Sequence, residues 1–443
     1  MLDTSKPLIN LFRGWPNPSF HAPVALHRAS STVLSNPSLS APALGYGPDE
    51  GYSPLRSEIA KWLTDFYAPR DRVVKERICI TGGASQNLAC LLQVFSDAVY
   101  TRNIWMVAPT YYLACGIFDD AGFAGKLRGV PEDEEGVDIG FLDEQMGLSE
   151  RRASEMGNVK PMLKSPKPYR KIYKHIIYAT PTFSNPSTKI MSLRRREQLI
   201  RLARKHDALI VTDDVYDHLQ WSSSPVQGPL PAPDKAVLPR IVDIDRFLDG
   251  GPQDEFGNAV SNGSFSKLIG AGCRVGWAEG TEKFAYGVSQ VGSSRSGGAP
   301  SQLTSTFVCQ LLANKFLQSH ILNVLQPGYA KRYHALVSAI QHHLVPLGVT
   351  FAVPTGDVAG GYFLWLGLPA GLRAKDLALK AQAEENLVIA GGNLFKVDGD
   401  NKEDKDGFQG FIRICFAWEE VKRFDEGLAR LAELIRRELG KRE

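Results

Sequence analysis

The sequence predicts an α/β protein with a mostly parallel sheet between helices, joined to a smaller α+β domain assembled from both chain ends. Three observations lead there. Short β-rich runs alternate with helical patterns from about Arg77 onward, as expected of βα units whose parallel sheet is covered on both faces. After about Tyr329 the pattern changes to one long helical stretch, two strand-like runs and a charged terminal helix. The length, 443 residues, exceeds what one hydrophobic core organises, so a second domain is expected.

Taken in order, a helix is expected over 54–66, where Leu55, Ile59, Trp62 and Leu63 share a face. A strand over 78–81 runs into Thr81-Gly82-Gly83-Ala84-Ser85-Gln86-Asn87 and then the apolar-periodic 88–95, so a glycine-rich turn opens directly into a helix. Further strands are expected at 104–108, 175–179, 208–212 and 275–278, and a helix over 192–206 with Leu193, Leu199, Ile200 and Leu202 on one face. Two stretches read as surface excursions: 132–174, acidic and then basic with Pro161, Pro166 and Pro168, and 222–257, rich in Pro, Gly and Ser. Strand-like runs at 361–366 and 410–416 and a terminal helix from Glu419 complete the chain. The expected division is an N-terminal arm and part of the small domain over 1–45, a large domain over 46–325, and the C-terminal small domain over 326–443.

Composition excludes some functions. The net charge of +3 is small and its signs are interleaved, so nothing favours nucleic acid or an anionic membrane, while small anionic ligands stay open. Cys79, Cys90, Cys115, Cys273, Cys309 and Cys415 form no Cys-x-x-Cys pair and have no histidine at metal-ligand spacing. They read as reduced thiols of a cytoplasmic protein without a metal site. No apolar run approaches a membrane span, residues 1–10 lack a signal-peptide layout, and residues 440–443 match no retention or peroxisomal signal.

The chemistry centres on Ser264-Phe265-Ser266-Lys267, with Arg274 seven positions on. A lysine amine there can condense with the aldehyde of pyridoxal phosphate, while Ser264 and Arg274 offer a hydroxyl and a guanidinium fork to its phosphate. A solvated surface lysine is the plain alternative. The turn at Gly82, Gly83, Ala84 and Ser85 either aims backbone N–H groups at an anion or only caps its helix. Asp213 follows the 208–212 strand, with Tyr216 three positions on, and can pair with a protonated pyridine nitrogen; an N-cap is its alternative, for which Asp214 is the better candidate.

Asn185, before Pro186, can donate its amide to a ring oxygen, and Tyr111 can stack on a flat ring, although turn and core roles suit both. Arg413 lies in the apolar run Phe411-Ile412-Arg413-Ile414-Cys415-Phe416. A buried cation there needs either a substrate carboxylate or a structural ion pair. Arg13, next to Gly14, is a second candidate cation, against the alternative of a surface or interface arginine.

With these residues in this order, the chain resembles the class I and II aminotransferases of the fold type I pyridoxal phosphate enzymes, in the branch that includes 2-aminoadipate and kynurenine aminotransferases. The resemblance is carried by Gly45-Tyr46-Gly47-Pro48, Gly51-Tyr52, Leu55-Arg56, the Gly82 to Gln86 turn, Pro109-Thr110-Tyr111, Asn185-Pro186, Asp213 with Tyr216, Ser264 to Lys267, Arg274 and Arg413. It implies a seven-stranded type of large-domain sheet, and roles for each residue. Lys267 would carry the cofactor and shuttle the α-proton, Asp213 would pair with the pyridinium, and Asn185 and Tyr216 would bond the ring oxygen. Gly83, Ala84, Ser85, Ser264 and Arg274 would hold the phosphate, Tyr111 would stack, and Arg413 would take the substrate carboxylate, with Arg13 and Gly14 also at the substrate. Tyr46 would reach the phosphate of a neighbouring subunit, which implies a homodimer with shared sites.

The implied reaction moves an amino group from an aromatic, 2-aminoadipate-like or aliphatic L-amino acid to a 2-oxo acid by a ping-pong cycle. The same fold and lysine also serve lyases and synthases, including cyclopropane-forming enzymes of the ACC-synthase type, which is the alternative activity. Aminotransferase-like transcription regulators would need an added DNA-binding domain, for which there is no room before Arg13. The sequence departs from the family pattern at Arg13, where relatives often carry a small residue, at Ala84, where a hydroxyl is common, and in the length of 132–174.

Overall fold

A computed structural model describes residues 6–226, 228, 230–352, 357–399 and 407–440. An eight-stranded sheet organises it, in the order Ile78–Thr81, Gly276–Glu279, Ala259–Ser264, Ala208–Asp213, His175–Ala179, Asn103–Ala108, Leu127–Asp133, Gly136–Val137. From Ala259–Ser264 to Leu127–Asp133 all neighbours are parallel. Gly276–Glu279 is antiparallel to both of its neighbours, and Gly136–Val137 pairs antiparallel at the far edge. The mostly parallel sheet expected from the sequence is therefore present, with a two-residue eighth strand added. Its central strands are buried along their whole length, as helices on both faces require.

The expected helices form as Ser53–Tyr67, Ala84–Phe95 and Leu193–Lys205, the last capped by Ser192, whose side chain accepts from the Arg195 N–H. Besides the two-residue edge strand Gly136–Val137, the sequence reading passes over two strands of this sheet, Leu127–Asp133 and Ala259–Ser264. The first contains Gly129 and Pro131, and the second reads Ser261-Asn262-Gly263-Ser264, so neither shows strand propensity. Pairing with a parallel neighbour imposes the conformation.

Three expectations are corrected. The 132–174 stretch is not only a surface excursion: it holds the helix Ile139–Glu155, capped by Asp138 and anchored by fully buried Leu142 and Met146. The 222–257 stretch likewise contains the helix Ile241–Asp245 and buried Arg240, Asp243 and Asp245. Asp214 caps no helix; its Oδ2 accepts from Thr212 Oγ1 at 2.8 Å and Ser261 Oγ at 2.5 Å.

A second, four-stranded antiparallel sheet takes Thr350–Phe351, Phe363–Gly367, Phe411–Cys415 and Ala390–Gly391 in that order. The helices Gln326–His343 and Phe424–Gly440 pack together nearby, the latter starting later than Glu419. The N-terminal segment returns to this region: Ile9–Asn10 pairs parallel with Leu387–Val388, and Ile9 and Leu11 are fully buried in the same hydrophobic cluster as Leu428 and Ile435.

All six cysteines are free, and all but Cys273 are buried. Among the described residues no helix is long and apolar enough to cross a membrane. The expectations about a leader in residues 1–5 and a signal in 441–443 concern positions outside the described residues.

Candidate active site

The carboxyl ends of parallel strands, the N-terminal segment and the strand Phe411–Cys415 converge on a cavity of about 470 Å³, the place where open α/β sheets bind ligands. It brings together Arg13, Gly14, Ala84, Ser85, Tyr111, Asn185, Asp213, Tyr216, Ser264, Lys267, Arg274 and Arg413. Gly83 is not among the lining residues but lies against Arg274, which is. Tyr46 is outside the cavity and 92% exposed.

Lys267 ends the short 3-10 turn Phe265–Lys267 that follows the strand Ala259–Ser264. Its Nζ donates to the Gly14 carbonyl at 2.7 Å and lies 5.1 Å from the Tyr362 ring centroid. Burial pushes the amine down to about 8, because a low-dielectric surrounding penalises the ammonium. A Cβ on Gly14 would sit 2.6 Å from Phe363 Cζ, so a larger residue there would displace the Phe363 ring.

Asp213 is the last residue of its strand, with its carboxylate buried. Oδ2 accepts from the Tyr178 hydroxyl at 3.0 Å, whereas Oδ1 is buried without a partner. Burial raises the carboxyl to about 6, against the opposing Tyr178 hydrogen bond.

At the other end of the cavity the helix Ala84–Phe95 starts from Gly83, whose φ of +101° suits glycine. The first N–H groups of a helix have no intrahelical partner and attract anions. Arg274 faces this end; its Nη2 donates to the Gly82 carbonyl at 2.5 Å and its Nη1 to the Ala271 carbonyl at 3.0 Å. Asn262 ties the turn to the sheet, donating to the Ala84 carbonyl at 3.0 Å and accepting from Asn87 Nδ2 at 2.8 Å.

Arg413 is 4% exposed, and no carboxylate of the described residues pairs with it. Its Nη1 donates to Asn185 Oδ1 at 2.9 Å, its Nη2 to the Phe12 carbonyl at 2.8 Å, and its Nε has no partner. The Phe363 ring lies 4.0 Å away. Since Asn185 Oδ1 is taken by Arg413, the amide's Nδ2 donors are left for another acceptor. Arg13 is exposed at the rim, with its guanidinium 4.8 Å from the Trp15 ring and 5.5 Å from the Trp418 ring.

Tyr178, Thr180, Phe12, Phe363 and Asn262 also line the cavity and escaped the sequence reading. Tyr178 carried one usable signal, a phenol near the end of an otherwise apolar strand. Phe12 and Phe363 look like core residues in sequence, and only the fold puts them against a cation.

The profile described as Aminotransferase class I and II matches residues 27–431. An uncharacterised protein of Saccharomyces cerevisiae is 34% identical over 95% of either chain. The 2-aminoadipate transaminase of Thermus thermophilus is 26% identical, covering 98% of this chain and 91% of its own. The kynurenine aminotransferase of Pyrococcus horikoshii, solved with PMP, substrate and product, superposes with a TM-score of 0.76 at 25% identity, over 99% of this chain and 92% of that one. Matches that run nearly end to end leave neither sheet outside the family, and the chain belongs to the class I and II aminotransferases, pyridoxal phosphate-dependent enzymes of fold type I that carry out transamination.

Proposed function

We propose that this cavity is the transamination site, with Lys267, Asp213 and Tyr216 as its catalytic residues. The observation that carries the reading is the meeting, in one cavity, of a half-buried amine, a carboxylate oxygen without a partner and a buried guanidinium without a carboxylate. Each is costly unless a ligand completes it. Together they fit the cofactor.

Pyridoxal phosphate, when bound, supplies an aldehyde for the amino group and a ring that takes up the electron pair left at the substrate α-carbon. Asp213 Oδ1, buried and unpartnered, would hold a proton on the ring nitrogen. Asn185 Nδ2 and the Tyr216 hydroxyl would donate to the ring oxygen, and Tyr111 would stack on the ring. Gly83, Ala84 and Ser85 would offer N–H groups to the phosphate, with Ser264 and Arg274 adding a hydroxyl and a cation. Lys267 is the group that moves the α-proton, since an amine held near 8 releases and regains protons readily around neutral pH.

Arg413 would hold the substrate α-carboxylate, supplying the anion that its buried guanidinium lacks, with Gly14 beside it. We assign aromatic, 2-aminoadipate-like or aliphatic L-amino acids as donors and a 2-oxo acid as acceptor, with Arg13 placed to meet a second acidic group. The exposure of Tyr46 suits a residue that completes a neighbouring subunit's phosphate site, hence a homodimer. Free cysteines suit the reducing cytoplasm. The two larger sheets, one built from residues 78–279 and the other from residues 350–415, support a large and a small domain, for which we retain the division at 45/46 and 325/326.

Borohydride reduction of the cofactor-loaded protein, followed by peptide mass analysis, tests the central assignment. The cofactor mass is expected on Lys267, and Lys267→Ala should lose both the label and turnover. A label on another lysine would refute the site.

A further inference from the structure

Asp213 is read above as the partner of the cofactor ring, and the present inference rests on that reading. A carboxylate rotates about its last bond, so something must fix the orientation in which one of its two equivalent oxygens meets the ring. The fold provides that device. Tyr178 lies in the strand His175–Ala179, whose register with Ala208–Asp213 sets Tyr178 opposite Val211 and Ala179 opposite Thr212. The ring is buried, and its hydroxyl donates to Asp213 Oδ2 at 3.0 Å, leaving Oδ1 as the oxygen without a partner. Thr180, also on the cavity wall, lies beside the same phenol.

We propose that Tyr178 is a positioning residue of the cofactor site, which holds Oδ2 of Asp213 and thereby commits Oδ1 to the ring nitrogen. The charged and titratable groups facing Asp213 are Tyr178 on the adjacent strand, Asp214 on its own, Lys267 after the next strand, and the phenols of Tyr111 and Tyr216. Asp214 repels the ionised form and Lys267 attracts it, but after burial the Tyr178 hydrogen bond is the strongest influence, and it favours ionisation. The sign follows. The Asp213 carboxyl stands at about 6, above its ordinary value of roughly 4, so the ionised partner of the ring is lost as the pH falls through that region. Without the phenol the loss begins at higher pH.

Equilibrium dialysis of pyridoxal phosphate, from acid to alkaline pH, against the wild type, Tyr178→Phe, Asp213→Asn and the double variant tests this. Tyr178→Phe should bind the cofactor about tenfold more weakly at neutral pH, with the acid limb of binding moved up by about one unit. In the Asp213→Asn background the same change should do nothing further, because Tyr178 acts through the carboxylate. An unchanged acid limb in Tyr178→Phe would overturn the proposal, and so would an equal loss in both backgrounds, which is what a purely structural tyrosine gives. If Asp213→Asn itself binds the cofactor normally at every pH, the reading of Asp213 fails and the proposal falls with it.

Discussion

Arg13 and Arg413 show how differently two cations can be kept at one cavity. Arg413 is buried and hydrogen-bonded to an amide and a carbonyl, so its charge is held in place with no carboxylate of the described residues beside it. Arg13 stays in solvent and rests on two indole faces, an interaction worth about 0.5–1 kcal/mol at exposed sites. That arrangement fixes the guanidinium without occupying its N–H fork, which is then free for a second carboxylate. Arg13→Ala is expected to raise KM for 2-aminoadipate roughly tenfold or more while moving KM for an aromatic donor by about twofold or less, the loss of one charge-assisted pair. Comparison of kcat/KM for the two donors decides it; an unchanged ratio removes the acidic-substrate assignment.

The turn at Gly83 lets a strand and a helix meet at the end of the cavity proposed for the phosphate. A Cβ on Gly83 would lie 2.8 Å from Arg274 Nη2, and the φ of +101° is one that L side chains avoid. Gly83→Ala should therefore displace Arg274 and weaken binding of inorganic phosphate and of pyridoxal phosphate by about tenfold, with thermal stability lowered by about 1–2 kcal/mol. Calorimetric titration with phosphate checks the first part, and retained affinity would show that the turn does not serve the anion. This turn was legible in the sequence because a strand, two glycines and a helix follow one another without interruption. So were the elements with clear periodicity, such as Ser53–Tyr67 and Leu193–Lys205. What stayed hidden was set by tertiary pairing. Ala259–Ser264 carries Lys267 to the site, yet its serines, asparagine and glycine speak for a loop. Asp214 looked like a cap because aspartate usually is one there, whereas Thr212 and the neighbouring strand's Ser261 make it a buried acceptor. Tyr178 was invisible as a partner of Asp213 because strand register, which sequence spacing does not contain, aligns them.

For the whole molecule, the proposed role of the exposed Tyr46 in a neighbouring subunit's site can be tested by complementation. In a homodimer with shared sites, a Tyr46→Ala subunit and a Lys267→Ala subunit each damage a different half of the machinery. Coexpressed, they should form hybrids with one intact site and show activity that the Lys267→Ala protein lacks and that exceeds the Tyr46→Ala protein at equal concentration. Absence of complementation in hybrids verified by mass would confine each site to its own chain. The N-terminal segment meanwhile supplies the Gly14 carbonyl to Lys267 and the Phe12 carbonyl to Arg413, and it is stitched to the far end of the chain, with Lys6 and Glu385 paired across 379 positions. During synthesis at about 5–20 residues per second, the arm emerges roughly 20–80 s before the strand it pairs with exists. Its apolar Ile9 and Leu11 have no place to go in that interval, so a nascent chain displays them to chaperones or to other chains. The cavity is therefore among the last parts of the molecule to be born, and a polypeptide released early holds its lysine without the wall that faces it.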